Sequence, residues 1–542
     1  MEGMRVNHNK KIMIMSSYNH LGCQLFRFHR TLARLDSCKF HLPLACWAFG
    51  LTLLLLSCGH SASVPSVFTE VSDTPAIYPD YRDVTIPPNI APLNFMVKDP
   101  TADAFVADLS GLVCGAGEDG KMDIDTTAWR QLLTERRGKD LGITIYAHRE
   151  QGWVKHPAFQ LHVAEEEIDG YLSYRLIEPG YELYRQLGLY QRNLTNFTQT
   201  TIYENNRTFD ADENHCVNCH NYQNYDTQRM LFHVRASHGG TIITNGNEAH
   251  KIAIKHDSII AAGVYPSWHP SLPLVAFSTN KTGQVFHVMY PEKIEVLDTE
   301  SDLILYDAEH NEVKNVIRTK DHLETFPCWT PDGRRLYYCS ARIPELDDDN
   351  YELRFTMHFD SLLYDIYSMP FDPETRTFGE PRLEVDASSQ GMSCSVPRVS
   401  PDGRYLLYTY GKYGQFHIWH KSADLWVKDL LDSTAETRPL SQANSPDADS
   451  YHSWSSNGRW IVFSSRRDDG NYTRPYIAYF DKQGQAHCPF LLPQRDPEYN
   501  ILLLKSYNVP ELTRSAVRVS LEKMNHVVRH TEAEVARFIN EK

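Results

Sequence analysis

Several features are missing from this 542-residue sequence. It has no surplus of basic residues: Lys and Arg number 54 against 69 Asp and Glu, for a formal net charge of -15. Because nucleic-acid binding depends on excess Lys and Arg facing the phosphates, we expect no nucleic-acid partner. There is also no low-complexity tract, and 23% of the residues are charged, which is typical of a folded globular protein. The length allows two or three domains.

Signatures of common enzymes are absent too. The sequence has no Gly-Xaa-Ser-Xaa-Gly elbow, no P-loop, and no Gly-Xaa-Gly-Xaa-Xaa-Gly stretch followed by its acidic partner. These absences disfavour a serine hydrolase and a nucleotide-dependent enzyme. A disulfide scaffold is disfavoured as well, because the cysteines outside the leader and the motifs below are odd in number and irregularly spaced. We expect buried free thiols at Cys114, Cys328, Cys339, Cys394 and Cys488.

The longest apolar run, Leu42–Ser57, follows a basic stretch and is short for a transmembrane helix. It suits the apolar region of a secretory signal peptide. The run ends Leu-Leu-Ser-Cys-Gly, which resembles a bacterial lipobox with cleavage before Cys58 and a lipid on that cysteine. An ordinary signal peptide or a buried helix are the alternatives. We expect a signal peptide at 1–58, a Pro- and Ser-rich linker at 59–88, and an exported lipoprotein that is anchored to the cell envelope and faces the periplasm.

The most distinctive motif is Cys-Xaa-Xaa-Cys-His, formed by Cys216, Cys219 and His220. This spacing is the attachment signature of a c-type haem. On one helical turn, the two thiols would form thioethers with the haem vinyl groups, and His220 would bind the iron as proximal ligand. We therefore predict one covalent haem c on a short helical segment at 208–239.

Three other interpretations of the motif stay open. The thiols could belong to a structural zinc site completed by His233 or His238, or they could form a redox disulfide. The match could also be accidental. If haem is present, the distal ligand must be Met, His or nothing, and Met230 or His233 are the candidates because they would share a helix face.

The segment before this motif predicts a β-rich N-terminal domain at 89–207. Thr126–Arg137 has helical spacing and is followed by Gly138, a typical helix stop. Gly142–Ala147 and Phe159–Val163 alternate apolar and polar residues, as half-buried strands do. A further strand is expected from Tyr171, ending in the turn at Gly180.

After about Gly240 the sequence repeats. Each copy has an apolar or aromatic anchor, usually a Pro-Asp-Gly or Asn-Gly turn, and an apolar strand. Pro presets the turn and Gly accepts positive φ, so each copy predicts a tight hairpin. The four copies are Pro266–Ser278, Pro327–Ser340, Pro397–Tyr408 and Ser453–Ser464.

These copies resemble the TolB-like, WD40-like (PD40) β-propeller repeat over roughly residues 240–504. The resemblance implies four-stranded blades in a closed ring, and about 45 residues per blade gives about six blades. Two copies depart from the pattern, with Ser271-Leu272-Pro273 replacing the Asp-Gly turn and Arg398-Val399 replacing the Trp. The predicted fold is mainly β, with the propeller at 240–510 and a C-terminal helix at 511–542, where apolar residues follow helical spacing.

Together, the lipobox, haem motif and repeats resemble a group of exported propeller lipoproteins of Bacteroides-type bacteria. Our first functional hypothesis is electron transfer by one haem c, with the propeller docking a redox partner or another envelope protein. The alternatives are a protein- or peptide-binding propeller with structural haem or none, and a haem-dependent periplasmic oxidoreductase. The sequence favours a carrier or binding protein over an enzyme.

Overall fold

The computed structural model describes residues 62–178, 186–207, 214–287, 289–290, 292, 294–344, 355–432, 434 and 436–539. The fold is mainly β, as predicted, and helices are few. Cys58 lies outside the described residues, so the lipobox stays a prediction. Within the described ranges, no helix is both long and apolar enough to cross a membrane.

The N-terminal domain is a twisted sheet with one flanking helix. Strands β5–β9 form its centre, and the short strands β1 and β3 add to it in parallel with β8 and β9. Its elements are β1 (Thr69–Glu70), β2 (Ile77–Tyr78), β3 (Thr85–Ile86), β4 (Met96–Val97), β5 (Ala102–Leu109), β6 (Leu112–Ala116), α1 (Thr126–Arg136), β7 (Asp140–Arg149), β8 (Gly152–Lys155) and β9 (Phe159–Val163).

The predicted helix and two predicted strands of this domain are confirmed. At the start of α1, the side chain of Asp125 accepts hydrogen bonds from the Thr127 and Ala128 N–H groups at 3.0 and 2.8 Å, a standard N-cap. Gly138, at φ +70°, lies just past its end. Strand β7 includes 142–147, and β9 has the predicted bounds.

The described residues from 171 onward form the six blades of a β-propeller around a central channel, with four antiparallel strands in each blade and a fifth short strand in blade III. The strands of each blade are as follows, in chain order: β10 (Tyr171–Ile177), β11 (Leu187–Asn193) and β12 (Gln199–Glu204) in blade VI; β13 (His215–Gln223), β14 (Asp226–Ala236), β15 (Gly240–Asn245) and β16 (Glu248–Ala253) in blade I; β17 (Gly263–Trp268), β18 (Leu274–Phe286), β19 (Ile294–Asp307) and β20 (Glu312–Ile317) in blade II; β21 (His322–Trp329), β22 (Arg335–Arg342), β23 (Tyr364–Asp372), β24 (Thr377–Phe378) and β25 (Arg382–Val385) in blade III; β26 (Ser393–Val399), β27 (Tyr405–Gly411), β28 (Asp424–Asp429) and β29 (Arg438–Pro439) in blade IV; β30 (Asp449–Trp454), β31 (Trp460–Ser465), β32 (Arg474–Tyr479) and β33 (Phe490–Leu491) in blade V; and β34 (Ser506–Thr513), the last strand of blade VI.

Blade VI closes the ring by combining both ends of the propeller sequence. Strand β34 pairs with β10, so that late residues supply the inner strand and early residues supply the other three. The inner strands β13, β17, β21, β26, β30 and β34 then follow one another around the channel, each in contact with the next. Closure of this kind leaves only short, protected sheet edges.

The predicted hairpin turns are confirmed in three blades. Gly333, Gly403 and Gly458 have φ of +67°, +74° and +66°. The residue before each glycine is Asp332, Asp402 or Asn457. Its side chain accepts a hydrogen bond from the backbone N–H of the residue that follows the glycine. Blade II lacks the Asp-Gly pair, and there the ring of His269 accepts from the Ser271 and Leu272 N–H groups at 3.2 and 3.0 Å instead.

Two of the tryptophan anchors, Trp329 and Trp454, form hydrogen bonds to the neighbouring blade. The indole N–H of Trp329 donates to the Ser267 carbonyl at 3.1 Å, and that of Trp454 donates to the Arg398 carbonyl at 3.1 Å. In each case the acceptor belongs to the inner strand of the preceding blade. A buried indole is satisfied in this way while its ring fills the gap between sheets.

The predicted domain limits need correction. The propeller includes residues 171–204, which we had placed in the N-terminal domain, and 215–236, which we had predicted to be a helical haem segment. The C-terminal helix is shorter than 511–542. Residues 511–513 complete β34, and the last elements are α2 (Tyr499–Leu502), α3 (Leu521–His530), β35 (Glu534–Val535) and β36 (Arg537–Phe538). Strands β35 and β36 extend the outer edges of blades I and II.

Candidate functional site

All six inner strands contain the same irregularity. In each of them the pairing register slips by one residue, which is a β-bulge, and the extra residue has positive φ. These six residues are Cys219, Tyr265, Phe326, Val396, Tyr451 and Val509, with φ between +46° and +53°. The bulges therefore form a ring of equivalent positions around the channel.

In blade I the bulge residue of this ring is Cys219, and His220 follows it. The next residue along the chain is Pro266, Pro327, Pro397 and Pro510 in four blades, and a histidine in the other two, His220 and His452. The haem motif thus overlaps a propeller repeat. The signal was in the sequence: His-Asn-Tyr-Gln at 220–223 matches Pro-Ser-Trp-His at 266–269 once the strands are aligned.

The predicted helical turn across the motif is therefore wrong, because Cys216, Cys219 and His220 belong to strand β13. Cys216 is 5% exposed, and burial raises the pKa of its thiol. Cys219 is partly exposed, and both cysteines are free thiols. The redox disulfide is thus not formed in this structure.

His220 is enclosed between blades I and VI. Its side chain is 2% exposed, and the backbone of Val509 hydrogen bonds to the imidazole. Its Nε2 has no hydrogen-bond partner and lies 3.8 Å from Oε2 of Glu511, which also lacks one. Burial and the nearby Arg175 lower the pKa of His220 to about 3, so the ring is neutral.

This arrangement does not fit a haem held by the motif. A haem c needs both thiols and the imidazole at the edge of a space large enough for the macrocycle. Here Cys216 and His220 are buried in a paired strand, and a carboxylate oxygen stands 3.8 Å from the nitrogen that would bind iron. Haem attachment would require the strand to leave the blade, and it stays a prediction that no comparison tests.

The two candidate distal ligands lie on strand β14, not on a helix. Met230 and His233 are three residues apart, which places them on opposite faces of a strand, so the expectation of a shared face is wrong. Met230 is fully buried in an apolar cluster with Val217 and Phe232. His233 is buried, its Nδ1 lies 3.1 Å from the Thr241 hydroxyl, and burial lowers its pKa to about 3.

The zinc interpretation gains no support among the described residues. There, the only three-residue group of His, Cys, Asp or Glu with closely spaced ligand atoms is Asp307, Glu309 and His310, on a turn of blade II. No group of three closely spaced ligand atoms among the described residues joins His238 to the two cysteines, and the His238 ring packs at 5.0 Å from that of His215.

A two-stranded ribbon projects at the end of the ring where the inner strands begin, which we call the upper end. Beyond Thr279 and Asp302, strands β18 and β19 pair only with each other. The described residues of this ribbon, between Asn280 and Ser301, reach the loop that follows β27 in blade IV. There the buried Glu295 accepts from the Tyr413 hydroxyl at 3.0 Å, and its other oxygen lies 3.0 Å from Nε2 of His420.

Asp298 of the ribbon is a second buried carboxyl group at the upper end. It is 1% exposed and accepts hydrogen bonds from the Asn280 amide at 2.6 Å, the Thr282 hydroxyl at 2.9 Å and the Gln415 amide at 3.2 Å. Burial raises its pKa to about 6, and Arg235 acts in the opposite direction.

Asp298 interacts electrostatically with the bulge ring. Its charge raises the pKa values of Tyr265 and Tyr451, which are raised mainly by burial, while Arg175 lowers both. The partly exposed Cys219 also contributes to the raised pKa of both phenols. We call these five residues, Arg175, Cys219, Tyr265, Asp298 and Tyr451, the channel cluster.

The channel cluster and its neighbours include several buried polar atoms that have no hydrogen-bond partner. Buried polar groups are normally paired, so such a concentration identifies a place where a polar ligand or water would be stabilised. The atoms are Nε of Arg175, Oδ1 of Asn218, Oε1 of Gln415, Oγ of Ser450 and the hydroxyls of Tyr364 and Tyr451. Sequence reasoning missed all six residues, because nothing in the repeat marks which positions face the channel from neighbouring blades.

Comparisons with known proteins leave the family open. No protein-family model matches the chain. Atu1656, an uncharacterized protein of Agrobacterium fabrum, is 31% identical over 99 residues, which is 18% of this chain and 24% of that protein. The chain thus matches only about a quarter of that relative's length.

Similar solved structures include prolyl oligopeptidase B from Galerina marginata, with a TM-score of 0.34 at 10% identity over 57% of this chain and 41% of that chain. Hydrazine synthase from Kuenenia stuttgartiensis gives a TM-score of 0.36 at 11% identity over 61% of this chain and 48% of that chain. The matches span less than half of either protein, and similarity at this level carries no argument about activity.

Proposed function

We propose that this chain is a binding protein whose propeller takes a polar group of a protein or peptide partner into the upper half of its channel. The observation that carries the proposal is the concentration of unpaired buried polar atoms around the channel cluster. A partner group that supplies the missing hydrogen bonds would recover desolvation free energy of about 1–3 kcal/mol per satisfied group.

The construction of the upper end supports a binding role. The ribbon of blade II contributes the buried carboxyl groups of Glu295 and Asp298, and the loop of blade IV contributes buried amide and imidazole groups that contact them, Gln415 and His420. The tip of the ribbon is apolar on its outside: Phe286 and Met289 are 62% and 90% exposed. An apolar rim around a polar centre is common where proteins bind partners.

The proposal is tested by capture from the native source with the full chain as bait. Tyr451→Phe removes one unpaired channel hydroxyl and keeps the ring, and Tyr364→Phe does the same at the neighbouring site. We expect each variant to lose the partner that the wild-type chain retains. Tyr405→Phe is the matched control, because its hydroxyl is also buried and unpaired but the residue belongs to the cluster of blades IV and V, away from the channel cluster. Equal capture by Tyr451→Phe and Tyr405→Phe would contradict the proposal.

Electron transfer by one haem c remains the competing hypothesis, with His220 as proximal ligand. It is supported by the Cys-Xaa-Xaa-Cys-His spacing alone, since the strand geometry does not fit a haem.

An exported, lipid-anchored location also stays a proposal, because Cys58 and the apolar run lie outside the described residues. Labelling with radioactive palmitate, lost in Cys58→Ser, would support the anchor.

A further inference from the structure

An exposed apolar segment, residues 499–504, joins blade V to blade VI. It consists of α2 and the two residues after it, and it leads into β34. Four of its side chains are apolar and exposed, and the exposed fraction is 69% for Leu502 and 60% for Leu504; the other two are Tyr499 and Ile501. Single exposed apolar residues are normal on a protein surface, whereas a cluster of them indicates a surface that another molecule covers.

A buried arginine fixes the backbone of this segment. The side chain of Arg474, on β32, donates to the carbonyl groups of Asn500, Leu503 and Lys505 at 2.8, 2.7 and 2.6 Å. Arg474 is fully buried, so its charge depends on these carbonyl partners. The exposed apolar side chains are therefore presented on a fixed backbone, which lowers the entropy cost of docking.

The same side of the N-terminal domain holds the start of this segment and the first described residues. A Cβ atom on Gly115 of β6 would lie 3.0 Å from Cβ of Ala62. Six residues after Gly115, the ammonium group of Lys121 lies 3.0 Å from Asp496 and 2.6 Å from Glu498, directly before α2. Because six residues span at most about 22 Å, one flat surface can meet both regions.

The lipid anchor proposed above indicates what that surface is. Cys58 precedes Ala62 by four residues, which span at most about 14 Å. A lipid on Cys58 would therefore hold Ala62 close to a bilayer. The first large apolar residues after Ala62 are exposed as well, namely Val64, Val67 and Phe68.

We propose that residues 499–504 insert their exposed apolar side chains into the interfacial layer of the phospholipid bilayer to which Cys58 is anchored. This inference rests on the proposed lipid anchor. Tyrosine is enriched in that layer, and a lipid chain with a second membrane contact holds a protein more firmly than a single lipid chain does. Blade II, which carries the ribbon, lies opposite blade V in a ring of six, so this contact leaves the ribbon side of the channel mouth open to a partner.

The test uses the full chain, purified from its native source and reconstituted into vesicles of phosphatidylethanolamine and phosphatidylglycerol. Leu502→Cys carries a nitrobenzoxadiazole probe, and the unsubstituted chain, treated with the same reagent, gives the background from its own cysteines. We expect the emission of the probe at position 502 to shift to shorter wavelength in the vesicles and to be quenched by nitroxide-labelled lipids.

Leu431→Cys, with the same probe, is the matched control. Leu431 is 76% exposed and follows β28 at the other end of the ring, so its probe should emit as it does in water. A chain that incorporates palmitate but whose probe at position 502 emits as the control does overturns the bilayer contact and leaves the anchor in place.

Two further outcomes also overturn the bilayer contact. A wild-type chain that incorporates no palmitate overturns the anchor together with the contact. A shift at position 502 in intact cell envelopes, with none in the vesicles, shows that a protein covers the segment instead of lipid.

Discussion

The inner strands of blades I and V each carry a histidine after the bulge residue, and they differ in what the unpaired nitrogen of that histidine faces. His220 and His452 both follow a bulge residue of positive φ, and both contact the backbone of the bulge residue in the preceding blade. The Nε2 atom of His452 lies 3.2 Å from the Leu407 carbonyl and its Nδ1 is unpaired, whereas the unpaired nitrogen of His220 is Nε2, which lies 3.8 Å from the Glu511 carboxyl group.

Most of the haem motif can be explained by the propeller repeat. A histidine at this position bridges two blades in blade V, whose inner strand carries no cysteine, so its presence in blade I does not by itself require a metal. What blade V does not explain is the pair Cys216 and Cys219, or the Glu511 carboxyl group beside the His220 imidazole.

The largest expected effects are at the two histidines. His452→Ala should lower the free energy of unfolding by about 2–4 kcal/mol, because it leaves a cavity and removes the contact with the Leu407 carbonyl. His220→Ala should lower it by a similar amount, because it also leaves a cavity and removes one contact, to the Val509 backbone. Urea unfolding of the two variants compares the losses, and a difference of more than about 2 kcal/mol would show that the two positions are not equivalent.

A smaller effect is expected at Asp298, which interacts with Arg235 of blade I and Tyr451 of blade V. Its pKa of about 6 in the folded protein is above its ordinary value of 3.8. The folded state therefore holds the proton more tightly, and stability falls as the pH rises from about 4 to 6. Asp298→Asn should raise the free energy of unfolding by about 1–3 kcal/mol at pH 8 and by little at pH 4.

Urea unfolding at the two pH values measures this, with Glu118→Gln, an exposed carboxyl group of the N-terminal domain, as the control. A gain for Asp298→Asn that is the same at pH 4 and pH 8 would contradict the assignment of the raised pKa to its burial.

The smallest effect is expected at Cys219. The ring position holds Tyr, Phe or Val in the other five blades, so an apolar residue of similar size should be accepted. Cys219→Val should change the free energy of unfolding by less than about 1 kcal/mol. The thermal unfolding temperature checks this, and a loss of several kcal/mol would indicate that the thiol has a bonded role that the strand does not show.

Much of the fold could be predicted from local sequence. The turns at Gly333, Gly403 and Gly458 can be recognised in the sequence, because a glycine that accepts positive φ, followed by an apolar strand, is typical of a hairpin turn. The first blade could not be recognised in this way, since its turn is formed by Asn224 and Tyr225 and carries no glycine. Ring closure by β34 and β10 was missed for another reason: pairing between residues more than 300 positions apart leaves no local pattern.

Less of the candidate site than of the fold could be predicted from the sequence. The spacing of Cys216, Cys219 and His220 predicts a helical turn, whereas the three residues belong to a strand whose bulge recurs in every blade. Arg175, Asp298 and Tyr451 come from three blades, and their meeting at the channel depends on the closed ring.

The most direct test of the strand assignment is a pyridine haemochrome spectrum together with the intact mass of the chain, purified from its native source. A motif that forms the inner strand of blade I, with His220 enclosed, predicts no haemochrome bands and a mass without a haem. Haemochrome bands and an added mass of one haem, both lost in Cys216→Ala, would contradict it and place these residues outside the blade.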